Sequence, residues 1–260
     1  MQFLRSLAFN AGMYVWMLVL GIACAPWAVA SRRGAAWTCG FYARTVIAAL
    51  PWAVGIRPEI RGTPPAGPAL VAAKHQSFLD ILMIYAACSR PFFVMKDLLR
   101  YAPILGQYAM QLGCIPVKRG RRAEAVKAML AELRSGAREP GQLVIYPQGT
   151  RVAPGASVPF KVGTFALYEQ LRQPCVPVAC NVGLFWPKRG VLRRPGRAVV
   201  EFLEPIPPGL DRAAFMAALE ERVEGGSNRL LAEAGFPIAA AARPEADRIG
   251  AAVRAAARGD

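Results

Sequence analysis

The sequence predicts an α/β protein: a mixed sheet flanked by helices, with an N-terminal membrane-associated helical hairpin in front of it. Three observations predict this. From Arg57 onward short β-rich runs alternate with helical ones. Before Arg57 lie two long apolar stretches separated by Ser31-Arg32-Arg33. The whole chain is strongly basic, 32 Lys and Arg against 17 Asp and Glu for a formal net charge of +15, which suits an anionic surface.

The first apolar stretch, Ala11 to Ala30, is uncharged and has about the ~20 residues that span a bilayer core as a helix. A cleaved signal peptide fits poorly, because only Arg5 precedes the run and more apolar sequence follows it. The second stretch, Ala35 to Ile56, contains Arg44 and Pro51. An arginine in mid-bilayer is expensive, and a single outward crossing would place Arg32 and Arg33 against the positive-inside tendency. A hairpin dipping into one leaflet avoids both costs and is preferred to a true span; a buried core hairpin is the bland alternative.

In the remainder, strands are expected at Ala69 to Lys74, Phe92 to Lys96, Cys114 to Val117, Gln142 to Tyr146, Cys175 to Cys180 and Ala198 to Leu203. Helices are expected at Ser77 to Cys88, at Leu98 to Leu112 apart from Pro103, and at Val162 to Leu171. Arg121 to Arg134 reads as an amphipathic helix with Ala125, Val126, Met129, Leu130 and Leu133 on its apolar side. Asp211 is placed to N-cap a helix running through Glu224. The organisation is therefore residues 1–56 as the anchoring hairpin, 57–235 as a catalytic domain, and 236–260 as an Ala- and Arg-rich tail.

Several function classes are disfavoured by composition. The basic charge is not accompanied by zinc-finger spacing, an aromatic RNA-binding signature or a heptad zipper, so nucleic acid is not the expected partner. With 54% hydrophobic residues and a mean hydropathy of +0.27, a membrane surface is. The 6 cysteines form no C-x-x-C pair and read as reduced, which suits a cytoplasmic domain; with the apolar hairpin, the expected place is the cytoplasmic face of the inner membrane. The single histidine argues against a His-based metal site.

That histidine lies in Lys74-His75-Gln76-Ser77-Phe78-Leu79-Asp80. On one continuous helix His75 and Asp80 would point about 140° apart. If His75 instead sits at a strand exit and the helix starts at Ser77, Asp80 reaches back from the first turn, fixes the ring tautomer and leaves the other nitrogen as a general base. The competing reading is structural, since Ser77-x-x-Asp80 also resembles a capping box. Further strand ends carry cations. Gly113 to Arg119 ends in Lys118-Arg119, Tyr146 to Arg151 forms a glycine-bearing turn with an arginine, and Phe160-Lys161 opens a helix whose N-terminus favours an anion. Each cation alone is an ordinary surface charge; together they describe a phosphate-binding pocket.

These blocks resemble the signature of the glycerolipid (lysophosphatidate-type) acyltransferases: H-x-x-x-x-D at His75 to Asp80, a Gly…Arg block at Gly113 to Arg119, a P-E-G-T-R block at Pro147 to Arg151, and a V-P-V strand at Val176 to Val178. The resemblance implies acyl transfer from acyl-carrier protein or acyl-coenzyme A to the free hydroxyl of lysophosphatidate, in phospholipid biosynthesis. It implies His75 as the base and Asp80 as its orienting partner. Arg119, Arg151 and Lys161 would hold the acceptor phosphate, and Gln148, Gly149 and Thr150 would complete the substrate-binding turn. No metal and no bound prosthetic group is called for. The chain departs from the pattern at Gln148, where the family has Glu; the amide cannot act as acid or base, so positioning is what remains for it. Two alternatives stay open: another lysophospholipid or a lyso-amino-acid lipid as acceptor, or a non-enzymatic basic lipid-binding module. Serine-nucleophile chemistry lacks its G-x-S-x-G elbow.

Overall fold

A computed structural model describes residues 1–117 and 140–237. The helix expected at Arg121 to Arg134 and the tail from Ala239 lie outside the described residues, as does Arg119.

The chain begins with α1 (Gln2–Ala23), a short α2 (Ala25–Ala30) and α3 (Arg32–Val54). The expected apolar helix is broken at Cys24, two residues before Pro26, whose missing N–H prevents the α1 ladder from continuing. Ser31 caps α3, its Oγ accepting from the N–H groups of Arg33 and Gly34 at 3.1 and 3.3 Å. Gly55 ends α3 in the left-handed conformation, φ 76°. The two long helices run antiparallel: Gln2 Nε2 donates to Val54 O, Arg5 donates to the Trp52 and Ala53 carbonyls, and Trp16 Nε1 donates to Thr45 Oγ1. Arg5 thus fills C-terminal carbonyls of α3 with a cation, as the helix dipole favours.

The sheet strands are β1 (Ile56–Arg61), β2 (Ala69–Ala73), β3 (Pro91–Lys96), β4 (Ile115–Val117), β5 (Gln142–Ile145), β6 (Cys175–Cys180) and β7 (Gly196–Phe202). Their order is β1-β7-β6-β2-β5-β3-β4. From β6 to β4 every neighbouring pair is parallel; β7 is antiparallel to β6 and parallel to β1, so the sheet is mixed. Among the described residues, the α-helices after the hairpin are α4 (Leu79–Ala87), α5 (Leu105–Gln111), α6 (Gly163–Leu171) and α7 (Arg212–Glu233).

The period-2 pattern of the strands builds two cores. Ala69, Val71 and Ala73 of β2 face a cluster that includes Phe9, Met13, Val46, Leu50, Val54 and Met83, from the hairpin and α4. Leu70 and Ala72 face the opposite cluster with Leu167, Phe215, Leu219 and Val223 of α6 and α7. One face of the hairpin therefore covers the sheet. The other leaves Leu4, Leu7, Tyr14, Val15, Leu18, Val19 and Ile22 exposed on α1. Among the described residues, α1 is the one helix long and apolar enough to cross a bilayer.

Four expectations need correction. β1 was not foreseen, because Ile56 closed the apolar stretch and Pro58 discourages a strand; it forms at a sheet edge, where proline is tolerated. The helix expected over Leu98 to Leu112 is a 3-10 turn, Asp97–Tyr101, followed by α5. Pro103 forces Ala102 into an extended conformation (φ −67°, ψ 128°), which ends the helix. α7 runs nine residues past Glu224, to Glu233, through Gly225-Gly226. The last strand begins at Gly196 rather than Ala198, paired with Ile56.

Candidate active site

The C-terminal ends of β6, β2 and β5 are neighbours, with Ala73 paired to Val178 and Ala72 to Ile145. Loops leaving that edge of a parallel sheet converge, which makes it the expected place for a site. His75 lies two residues past the end of β2, and α4 begins four residues further on.

The His75 ring is anchored by Asp80. Nδ1 is 2.8 Å from Asp80 Oδ1, and the carboxylate is fully buried while the imidazole keeps 14% exposure. The second oxygen, Oδ2, accepts from the N–H groups of Gln76 at 2.8 Å and Ser77 at 2.7 Å. Capping and dyad are therefore one structure: Oδ2 satisfies the N–H groups ahead of α4 while Oδ1 faces the ring. Since an ionised carboxylate only accepts, Nδ1 carries the proton and Nε2 is left with its lone pair. Ser77 is spent locally, its Oγ accepting from Leu79 N at 3.1 Å.

Tyr146, the first residue after β5, stacks on His75 with ring centroids 3.9 Å apart and planes 20° from parallel. Its buried hydroxyl finds no hydrogen-bond partner among the described residues. Burial, reinforced by the nearby Asp80 charge, holds its phenol well above the ordinary tyrosine range. The aromatic face limits how the imidazole can tilt. Nothing in the spacing of the motif announced this contact.

The turn at 147–151 is tied to the dyad through its backbone, Val152 N donating to His75 O at 2.7 Å. Gly149 adopts φ 66°, which favours glycine in the turn, and the Lys161 ammonium lies where a Cβ would point, so a side chain there would displace the cation. Lys161 N donates to Pro147 O at 2.9 Å, which brings Lys161 to the same turn. Arg151 is half-buried; its Nη1 donates to Lys188 O at 3.5 Å, while Lys188 Nζ lies 2.9 Å from Arg151 O and 3.5 Å from Thr150 Oγ1. The structure thus brings Gly149, Thr150, Arg151 and Lys161 together beside His75. Lys188, absent from the expected set, joins the cations here.

Gln148 is different. It is buried, and its amide nitrogen donates to Glu224 Oε1 at 3.0 Å and Val158 O at 3.3 Å. The amide nitrogen expected to face substrate thus makes internal contacts in this structure. Glu224 in turn grips Lys74, whose Nζ is 2.7 Å from both carboxylate oxygens.

Cysteine chemistry is disfavoured at this edge. Burial pushes the Cys180 thiol well up and the Asp80 charge adds to it, outweighing the Val182 backbone hydrogen bond and Lys74, which pull the other way, so it stays protonated at neutral pH.

A protein-family model described as Acyltransferase matches residues 57–181. The chain is similar to the 1-acyl-sn-glycerol-3-phosphate acyltransferase alpha of Bos taurus, 29% identical over 227 residues covering 85% of this chain and 77% of the relative. It is also similar to the 1-acyl-sn-glycerol-3-phosphate acyltransferase of Pseudomonas aeruginosa, 28% identical over 69% of this chain and 70% of that one. Among solved structures, the crystal structure of the 1-acyl-sn-glycerophosphate (LPA) acyltransferase PlsC from Thermotoga maritima superposes with a TM-score of 0.73 at 20% identity, covering 88% of this chain and 95% of that one, which supports the fold.

Proposed function

This chain belongs to the acyltransferase family, and on that premise we propose that it transfers a fatty acyl group from a thioester donor to the free hydroxyl of lysophosphatidate, making phosphatidate. The observation that carries the reading is the Nδ1–Asp80 contact, which leaves Nε2 of His75 as a base beside a cation-bearing glycine turn.

In this reading Nε2 takes the proton of the acceptor hydroxyl as its oxygen attacks the thioester carbonyl. The imidazolium is stabilised by the Asp80 carboxylate. As the tetrahedral intermediate collapses, the C–S bond breaks and the leaving thiolate recovers the proton from His75. Arg151 and Lys161, with Arg119 outside the described residues, hold the acceptor phosphate; Arg suits a bidentate grip and Lys a point contact. Thr150 and the backbone of Gly149 complete that turn. The donor is acyl-carrier protein or acyl-coenzyme A, which present the same kind of thioester, and the reaction needs no bound cofactor.

The exposed apolar face of α1 and the basic charge of the chain support a place on the cytoplasmic face of the inner membrane, where the lipid acceptor resides. The deciding measurement is transfer of a labelled acyl group by the purified protein, with lysophosphatidate offered beside other lysophospholipids and both thioester donors. Phosphatidate formation is expected. Labelling of a phosphate-free acceptor at an equal rate would overturn the assignment of Arg151 and Lys161.

A further inference from the structure

Lys74 and Gln148 flank the proposed site from two different strand ends, and both turn their side chains inward to the same carboxylate. Lys74 precedes His75, is 2% exposed, and has Nζ 2.7 Å from each oxygen of Glu224. Gln148 precedes Gly149 and donates to one of those oxygens at 3.0 Å. The same ammonium lies 3.4 Å from Ala156 O, and the same amide 3.3 Å from Val158 O, so the cluster also holds the loop that leads to Lys161. Glu224 itself stands on α7, 76 residues beyond Gln148.

A buried ammonium needs a counter-charge nearby, because its desolvation is otherwise uncompensated. Gln148 occupies the position where the resembled signature carries Glu, and here it brings no charge. The carboxylate that neutralises Lys74 comes from α7 instead. With Glu224 ionised, the cluster holds one positive and one negative charge, and an amide fits beside them as a donor where a second carboxylate would be repelled.

We infer that Glu224 is a positioning residue for this reaction: by binding Lys74 and Gln148 at once it sets the strand end that carries His75 against the turn that carries Arg151, taking the place of a carboxylate at position 148. The inference rests on the acyl-transfer reading. Glu224 touches neither substrate; it acts on the base through Lys74 and on the phosphate cations through Gln148 and the loop at 156–158.

The test is a charge-swap cycle on the purified full chain, measuring kcat, KM for lysophosphatidate, KM for the acyl thioester, and Tm. Glu224→Gln strips Lys74 of its counter-charge, and Gln148→Glu sets two carboxylates against one ammonium. Each is expected to lower kcat by about 10- to 100-fold, as a small misplacement of a catalytic group does, and to raise the acceptor KM while leaving the donor KM unchanged. The double variant Gln148→Glu/Glu224→Gln restores one carboxylate facing Lys74 with the amide now on α7. It is expected to recover most of the lost kcat, the acceptor KM and the Tm. The recovery also covers the case in which the single variants fold poorly.

Double-variant activity no better than the poorer single variant would overturn the inference, as would single variants that lose active protein at unchanged acceptor KM. Absence of acyl transfer by the native chain would remove the reading and this inference together. Native transfer without rescue would remove this inference alone.

Discussion

At the scale of the residue, Asp80 does two jobs with two oxygens, and the jobs have different costs when lost. His75→Ala removes the base but leaves Oδ2 on the N–H groups of Gln76 and Ser77. It is expected to cut kcat by about 10²- to 10⁴-fold with little change in Tm, as for loss of a general base. Asp80→Ala also strands two buried N–H groups, each costing about 1–3 kcal/mol, so Tm should fall together with activity. Parallel thermal melts and rate assays separate the two variants, and equal Tm losses would contradict the division between Oδ1 and Oδ2. The H-x-x-x-x-D spacing left the pair open between a dyad and a helix cap, and the ordered blocks around it favoured the dyad. The Tyr146 stack and the internal use of Gln148 were not, because each depends on a partner brought in by sheet pairing or by a distant helix.

At the scale of the element, α7 shows why local signals misplace a boundary. Glycine is a poor helix former, and the expected helix ran only through Glu224, the residue before Gly225-Gly226. The helix continues because Ser227, Leu230 and Leu231 are buried beyond the glycines. The two glycines differ in their surroundings. A Cβ on Gly225 would meet nothing within 4 Å, whereas one on Gly226 would lie 2.9 Å from Ala179 Cβ of β6 and 3.0 Å from Leu203 Cδ1. Gly225→Ala is therefore expected to stabilise the protein by about 0.5–1 kcal/mol through helix propensity. Gly226→Ala should destabilise it, since Ala179 Cβ is fixed to the strand backbone and the overlap outweighs that gain. Denaturant melts of the pair should shift in opposite directions; a shift in the same direction would show that the α7–β6 contact does not set the sign.

At the scale of the whole molecule, the hairpin has two apolar faces with different partners. Phe9, Met13, Val46, Leu50 and Val54 share a core with Val71 and Val144 of the sheet, so this face belongs to the fold. Val15 and Leu18 are 59% and 50% exposed and belong to whatever lies outside. Substituting both by Glu is expected to release the protein from vesicles containing anionic phospholipid, in a flotation assay, while the unfolding free energy changes by no more than about 0.5 kcal/mol per surface site. Retained flotation would move the membrane contact away from α1. Removing residues 1–56 should have the opposite signature, with loss of the folded domain itself, because the sheet face beneath the hairpin would be bared.

What the sequence by itself determined was the α/β alternation, the apolar hairpin, the basic surface and the ordered motif blocks. These follow from local periodicity, from composition and from residue types a few positions apart. What only the tertiary structure decided was the strand order that puts β2 between β6 and β5, the edge strand at Ile56–Arg61, and the length of α7. It also decided that Glu224 of α7 is the carboxylate that meets Lys74 and Gln148. Lys74, Gln148 and Glu224 are far apart along the chain, and no short-range pattern records that burial brings one charge, one amide and one counter-charge to a single point.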